Sequence, residues 1–127
     1  MPSSPPSNEI LTPHRGEVWL ADVDPQRGTE PGKTRPVLII QSQVLLDATH
    51  PSTVIIPLTT NVVADAEPLR IRVPASGGLR RDSDLLIDQL RAIDNRRLIQ
   101  GPIVRLPNPL MAKVAEAIRE ILDLVED

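Results

Sequence analysis

The chain alternates between short apolar segments and polar turns, and the apolar segments have the lengths of β-strands. Residues 17–23, 36–40 and 53–56 are rich in aliphatic residues, as strands are. Residues 36–40 are apolar throughout, which predicts a strand that is buried on both faces. Residues 69–73 alternate instead, so Leu69 and the other two aliphatic residues are expected inside and the two arginines outside. Two further candidate strands are residues 85–93 and 103–106.

Only the last segment has the period of an α-helix. Asn108 can cap this helix, and Pro109 fits its first turn, where a missing N–H costs nothing. Apolar side chains then recur at spacings of three and four and form one stripe: Leu110, Val114, Ile118, Ile121, Leu122 and Val125. We expect a mainly β protein in which a small, strongly bent sheet or barrel carries this C-terminal helix. The stripe also favours a dimer.

The length of 127 residues suits a single domain. Residues 1–13 hold four prolines and three serines without periodicity, so a disordered arm is expected before one domain at 14–127. The chain has no cysteine and two histidines, which excludes a disulfide framework and a thiol nucleophile and predicts neither a metal nor a cofactor. No apolar run has the length of a membrane span and no signal peptide precedes the domain, so a cytoplasmic protein without a membrane partner is expected.

Composition also limits how the chain could bind a nucleic acid. The net charge of −3 argues against non-specific coating of DNA. Trp19 is the only tryptophan, and tyrosine and phenylalanine are absent, so unstacked bases cannot rest on a platform of aromatic rings. Trp19 itself is expected in the core or at a dimer contact. Arginine planes, hydroxyls and backbone groups remain as possible contacts.

The polar loop at residues 28–36 combines groups that suit a phosphate. Two glycines lie beside a carboxylate, two cations and two hydroxyls, and they let the backbone approach a ligand closely. Arg35 directly precedes the buried strand, so rigid backbone would aim its guanidinium. The alternative is a solvated hairpin loop that carries a surface ion pair.

Two further stretches place polar groups beside predicted strands. Residues 57–61 follow the third strand, and Pro57 marks an edge or an end of that strand. The hydroxyls of Thr59 and Thr60 could face a phosphodiester, or they could simply bond their own backbone in a turn. Residues 86–94 interrupt an apolar run with polar side chains. If this run is one strand, Gln89 and Arg91 share a face and form one wall of a site, whereas Asp88 and Asp94 belong to a buried hydrogen-bonded network.

Four blocks of sequence, in order, resemble the MazF/PemK family of toxins. They are residues 15–20, then 28–30 with 35–38, then 57–60, and then 88–91 with 93–94. This resemblance implies an SH3-like barrel of the MazF/PemK/CcdB type and a homodimer. It further implies the toxin of a type II toxin–antitoxin system, inhibited by a MazE-like antitoxin. Such toxins cut single-stranded mRNA in a sequence-selective way without a metal.

The resemblance also implies roles for particular residues. Arg35 and Thr59 match the residues tied most directly to cleavage, and Glu30 matches an acidic residue that contributes in some members. The remaining residues expected to contact RNA are Arg27, Gly28, Thr29, Lys33, Thr60, Gln89 and Arg91. Many members carry an aromatic residue near the start of the first loop. Here Arg27 is the only group in that stretch that could stack on a base.

These roles agree with the chemistry of RNA cleavage without a metal. A guanidinium stays protonated and can bind two oxygens of the phosphorane, which is the part expected of Arg35. Thr59 can orient a phosphate oxygen but is a poor proton acceptor. Glu30 is therefore the expected base for the 2′-OH. The products would carry 2′,3′-cyclic phosphate and 5′-OH ends.

Two other interpretations are weaker. His14 and His50 could form an acid–base pair, but one borders the arm and the other lies in a loop. A non-catalytic toxin of the gyrase-poison type could use the same barrel. The pair of Arg35 and Thr59 favours a ribonuclease over a non-catalytic toxin, because phosphoryl chemistry needs such a pair and a gyrase poison does not.

Overall fold

The computed structural model of the chain describes residues 12–23 and 34–124. Within these residues the elements are β1 (Glu17–Asp22), β2 (Thr34–Ile39), α1 (Gln43–Asp47), β3 (Ser52–Thr59), β4 (Arg70–Val73), β5 (Ser83–Leu86), β6 (Arg91–Asp94), β7 (Leu98–Arg105) and α2 (Asn108–Ile121). The predicted mainly β fold with a C-terminal helix is confirmed. The predicted arm lies outside the described residues except for Thr12 and Pro13, and Pro13 is buried.

The strands form one strongly bent antiparallel sheet because β3 serves two sets of neighbours. Five strands follow the order β6-β3-β2-β1-β7, and the β5–β4 hairpin extends the sheet from the far end of β3. Residues 52–55 of β3 pair with β6, whereas Leu58 and Thr59 pair with β5. The turn of the β4–β5 hairpin reaches β7, where the Gly78 N–H donates to the Ile103 carbonyl at 2.8 Å. The sheet therefore curls until its two ends touch without becoming a closed ladder.

The central strands β1, β2 and β3 bury side chains on both faces. On one face, Val18, Leu38 and Ile56 belong to a core that α2 covers. On the other face lies a second core of Trp19, Ala21, Val23, Val37, Ile39, Leu46, Ile55, Ile93 and Leu98. This arrangement confirms the predicted strand with both faces buried for residues 37–39, whereas Pro36 and Ile40 are partly buried and Ile40 follows the strand.

β3 continues through Pro57, which the sequence placed at an end or an edge. The Ile40 N–H donates to the Val54 carbonyl, so alternate pairs of the β2–β3 ladder are hydrogen-bonded and the pair of Val37 with Pro57 is not. The nitrogen of Pro57 therefore faces away from β2. On that side the pairing of β3 with β6 stops at Ile55 and its pairing with β5 starts at Leu58, so the missing N–H removes no ladder bond.

The prediction of one strand at residues 85–93 is wrong. A 3₁₀ turn at Ile87–Gln89 separates β5 from β6, and the two strands pair with opposite halves of β3. The inward placement of Leu69 is also wrong, since it precedes β4 and is 52% exposed, whereas Ile71 and Val73 are buried as expected. The short helix α1, capped by the Ser42 hydroxyl, has too few residues to show a period.

The helix α2 begins one residue earlier than the sequence indicated. Pro107 occupies the N-cap position without a side-chain cap bond, so the predicted cap at Asn108 is wrong. The place of Pro109 in the first turn is confirmed. Of the predicted stripe, Leu122 is 52% exposed and Val125 lies outside the described residues. The buried face consists of Met111, Val114 and Ala117, with Leu110, Ile118 and Ile121 partly buried beside it. This face packs within a single chain, so it gives no independent reason for a dimer.

Trp19 packs directly on the backbone of β7. A Cβ atom built on Gly101 would lie 2.3 Å from Trp19 Cδ2, so only glycine leaves room for the indole. The Trp19 Nε1–H donates to the buried carboxylate of Glu17 at 3.0 Å. Arg105 and the His14 backbone N–H donate to the same carboxylate. Trp19 is thus a core residue that ties β1 to β7.

The Gly101→Ala variant is expected to be less stable, because the added methyl group must displace the indole. We expect a loss of about 1–3 kcal/mol in the free energy of unfolding, measured in urea through the fluorescence of Trp19. Gln100→Ala, at the exposed neighbouring position of β7, is the control and should change little. Equal stability of the two variants would contradict the packing of Trp19 on Gly101.

Candidate active site

A small pocket opens where β1 ends and β2 begins. Its lining consists of Val23, Arg35, Ile55, Pro57, Gln89 and Arg91, and its volume is about 40 Å³. A space of this size fits one or two small polar groups, such as a water molecule or a phosphate oxygen, and is too small for a base. The polar lining comes from two separate parts of the sequence, Arg35 in one and Gln89 with Arg91 in the other.

Arg35 reaches this pocket from a rigid strand. It is the second residue of β2 and pairs with Ala21 in β1. On its face of β2 the next residues are Val37 and Ile39, both completely buried. The backbone of Arg35 is therefore fixed by the core, and its half-buried guanidinium lies at the margin of that core.

Gln89 and Arg91 form the opposite side of the pocket. Gln89 ends the 3₁₀ turn, and Arg91 begins β6 opposite Ile55. The Arg91 Nη2 donates to the Val23 carbonyl at 2.5 Å, which fixes its guanidinium beside the end of β1. Both residues belong to the stretch that the sequence singled out as one wall of a site, and the structure brings them together with Arg35.

The buried network expected for Asp88 and Asp94 is not formed. Asp88 is exposed, because the 3₁₀ turn directs it away from the core. Asp94 caps the next turn, and its side chain binds the Arg96 guanidinium at 2.9 Å. The hydrogen bonds from Arg96 lower the pKa of the Asp94 carboxyl to about 2.

Thr59 is aligned with Arg35 by the strand register. The β2–β3 ladder pairs Val37 with Pro57, and two residues further along this register lie Arg35 and Thr59, on the same face of neighbouring strands. The Thr59 Oγ1 accepts a hydrogen bond from the Asn61 N–H at 3.1 Å, so its own proton remains available to an incoming acceptor. Thr59 is half-buried at the end of β3, outside the lining of the small pocket, and Thr60 is exposed.

The loop between β1 and β2 carries the other predicted residues. Arg27, Gly28, Thr29, Glu30 and Lys33 lie outside the described residues. Their roles stay predictions from the sequence. The described strands fix only the two ends of this loop, at Val23 and Thr34.

Sequence reasoning missed a buried ion cluster next to Thr59. Asp84, which pairs with Thr59 in the β3–β5 ladder, is 1% exposed. Its carboxylate accepts hydrogen bonds from Arg72 Nε at 2.6 Å, the Val63 N–H at 2.8 Å and Arg70 Nη1 at 3.3 Å. Burial raises the pKa of the Asp84 carboxyl, but these hydrogen bonds outweigh it and the pKa lies below the usual 3.8. The available signal was the pair of arginines two residues apart on β4, which point to an acid on the next strand.

The described residues contain no group of three or more His, Cys, Asp and Glu side chains arranged to hold a metal ion. None of the helices in the described part of the chain is long and apolar enough to cross a membrane.

The chain is similar to proteins of one family along most of its length. The profile of the PemK-like, MazF-like toxin of type II toxin-antitoxin system matches residues 14–122. Endoribonuclease EndoA of Bacillus subtilis is 34% identical over 113 residues, which cover 88% of this chain and 96% of that protein. Endoribonuclease MazF of Staphylococcus saprophyticus is 35% identical over 106 residues, 82% of this chain and 86% of that protein.

Solved structures show the same fold. The Mycobacterium tuberculosis toxin MazF-mt6 superposes with a TM-score of 0.71 at 27% identity, over 87% of this chain and 99% of that chain. A chain of the MazE-MazF crystal structure from Deinococcus radiodurans superposes with a TM-score of 0.74 at 22% identity, over 91% of this chain and 100% of that chain. The expected barrel type is therefore confirmed.

The Asp84 cluster predicts how stability depends on pH. The folded-state pKa of Asp84 is below 3.8. The ionised carboxylate therefore makes its full contribution to the free energy of unfolding above that pH, and this contribution is lost as the pH falls further. At pH 7 the Asp84→Asn variant should lose about 2 kcal/mol in the free energy of unfolding, measured in urea. This difference from the unmodified chain should shrink below about pH 3.8.

Asp88→Asn, which changes an exposed carboxylate, serves as the control and should leave the free energy nearly unchanged at pH 7. A loss in Asp84→Asn that stays constant down to the lowest pH would show that the charge of Asp84 is not what stabilises the cluster.

Proposed function

The chain belongs to the family of PemK-like, MazF-like toxins of type II toxin–antitoxin systems, and we propose that it is an endoribonuclease that cuts single-stranded RNA. Two relatives named endoribonuclease match it over more than four fifths of its length. The observation that carries the proposal is the placement of Arg35. Its guanidinium shares a pocket with Arg91 and Gln89, and its strand register aligns it with Thr59.

Arg35 would neutralise the charge that develops on the scissile phosphate. Its planar fork of N–H donors matches two phosphate oxygens. Because rigid strand backbone aims it, little reorganisation is needed as the transition state forms. Arg91 places a second positive charge in the same pocket, already oriented by the Val23 carbonyl.

Thr59 would donate its hydroxyl proton to a phosphate oxygen, since the Asn61 N–H already occupies a lone pair of Oγ1. Glu30, in the β1–β2 loop, is the proposed base that takes the proton of the 2′-OH. The 2′-oxygen attacks phosphorus, the bond from phosphorus to the 5′-oxygen breaks, and the leaving 5′-oxygen receives a proton. The products are a 2′,3′-cyclic phosphate and a 5′-OH end.

The proposed RNA contacts surround this centre. Gln89 and Arg91 lie in the pocket, and Thr60 follows Thr59 at the end of β3. The β1–β2 loop would add Arg27, Gly28, Thr29 and Lys33. With no tyrosine or phenylalanine in the chain, guanidinium planes and backbone groups would hold the bases.

We also propose that a MazE-like antitoxin inhibits the chain, that the chain acts as a homodimer and that it works in the cytoplasm. Family membership supports all three proposals. The apolar stripe of α2 gives no separate support for the dimer, because its members Leu110, Val114, Ile118 and Ile121 pack against the core of the same chain.

Replacing Arg35 with Ala should lower the rate of cleavage of single-stranded RNA by about 10²- to 10³-fold, because the developing charge loses its partner. The fold should persist, as judged by circular dichroism. Arg96→Ala is the matched control: it removes an arginine that is 91% exposed and bound to Asp94, away from the pocket, and should retain the rate.

Undiminished cleavage by Arg35→Ala would contradict the proposed role of Arg35 in neutralising the charge on the scissile phosphate. If the unmodified chain cuts no RNA but still stops cell growth, the gyrase-poison alternative would be favoured instead.

The proposed chemistry needs no metal ion, so EDTA should leave the cleavage rate unchanged. End analysis of the fragments should give 2′,3′-cyclic phosphate and 5′-OH termini. Inhibition by EDTA that added magnesium reverses, or fragments with 5′-phosphate ends, would contradict this mechanism.

A further inference from the structure

We propose that Asp84 is a positioning residue for Thr59: its carboxylate holds the turn at residues 60–63 and thereby fixes the Thr59 hydroxyl in the orientation that meets a phosphate. The inference rests on the proposed function, because it assumes that Thr59 contacts the scissile phosphate. Asp84 itself is buried beneath this turn and is not proposed to touch RNA.

The contacts of Asp84 converge on the turn that follows Thr59. The carboxylate accepts the Val63 N–H directly at 2.8 Å. Arg70 Nη1 joins the carboxylate to the Asn61 carbonyl, at 3.3 and 2.9 Å respectively. Arg72 binds the carboxylate through Nε and the Val63 carbonyl through Nη2. Asn61 and Val63 are thus each tied to the same buried carboxylate, one of them through an arginine.

The turn then fixes Thr59 at its other end. The Asn61 N–H donates to Thr59 Oγ1 at 3.1 Å, so the position of Asn61 selects the rotamer of the threonine side chain. Thr59 also pairs with Asp84 across the β3–β5 ladder. Asp84 therefore fixes both the backbone of Thr59, through strand pairing, and Asn61, which binds the Thr59 hydroxyl.

Side-chain packing does little to hold this turn. Val62 and Val63 are 39% and 47% exposed. A cavity of about 410 Å³ lies beside the turn, lined by residues 63–67 together with Arg70, Arg72 and Asp84. Since no apolar core within the described part of the chain supports the turn from this side, the polar contacts with Asp84 decide where it lies. A small shift of Asn61 toward the cavity would release the Thr59 hydroxyl.

The Asp84→Asn variant tests this inference. Asparagine has nearly the same shape, but it lacks the charge that holds both arginines. Single-turnover cleavage of one defined RNA should slow by about 10- to 100-fold, because a small misplacement of a catalytic group has effects of this size. The KM should change by less than about twofold, since Asp84 does not contact the substrate. Asp94→Asn, which weakens an exposed Asp–Arg pair, is the matched control and should keep the kcat.

A double-mutant cycle separates positioning from a general structural effect. If Asp84 acts through Thr59, adding Asp84→Asn to Thr59→Ala should slow single-turnover cleavage no further. Equal slowing in both backgrounds, or an unchanged rate in Asp84→Asn, would overturn the inference. Arg70→Met, which removes the bridge to Asn61 at a partly exposed site, gives the same test if Asp84→Asn does not fold.

The outcomes also distinguish this inference from the proposed function. Full activity of Thr59→Ala would remove the proposed role of Thr59, and the inference with it. An impaired Thr59→Ala together with a fully active Asp84→Asn would overturn the inference alone.

Discussion

The burial of both faces of β1, β2 and β3 is the constraint on which the rest of the structure depends. Each strand contributes alternate side chains to two cores, so a shift by one residue would exchange the side chains of the two cores and disrupt the packing of both. The register is therefore strongly specified. Arg35 and Thr59 stand on two of these strands, at the margin where the cores end. The backbone positions of Arg35 and Thr59 therefore follow from hydrophobic packing, whereas the orientation of the Thr59 hydroxyl depends on the turn that Asp84 holds.

The features that the sequence predicted well are those encoded by local pattern. The strand within the apolar run at 36–40 and the apolar face of α2 up to Ile121 were predictable, because the run and the helical spacing are visible in a short stretch of sequence. The division of residues 85–93 was not predictable in this way. Its cause is that β3 changes partner between Ile55 and Leu58, which is a property of the tertiary fold. Asp88 and Asp94 were misplaced for the same reason.

In the candidate site, too, the residues in locally recognisable stretches were predicted and the one that depends on the tertiary fold was not. Arg35, Gln89 and Arg91 were singled out from the sequence, and the structure places them in one pocket. Asp84 escaped notice because its importance depends on arginines twelve and fourteen residues away and on a turn twenty-one residues away. An isolated aspartate in a strand gives no sign of the groups that surround it. Long-range electrostatics of this kind can be read only from the folded chain.

The hydrogen bond between Gly78 and Ile103 has a consequence for how the chain can change over time. The β4–β5 hairpin is held by a ladder at its base and by this bond at its tip, and a Cβ on Gly78 would lie 2.8 Å from the Ile103 carbonyl oxygen. A hairpin supported at two points cannot accept extra residues in its tip without detaching. Length variation should therefore gather in the solvent-facing turn at residues 64–67, where lengthening leaves both supports in place.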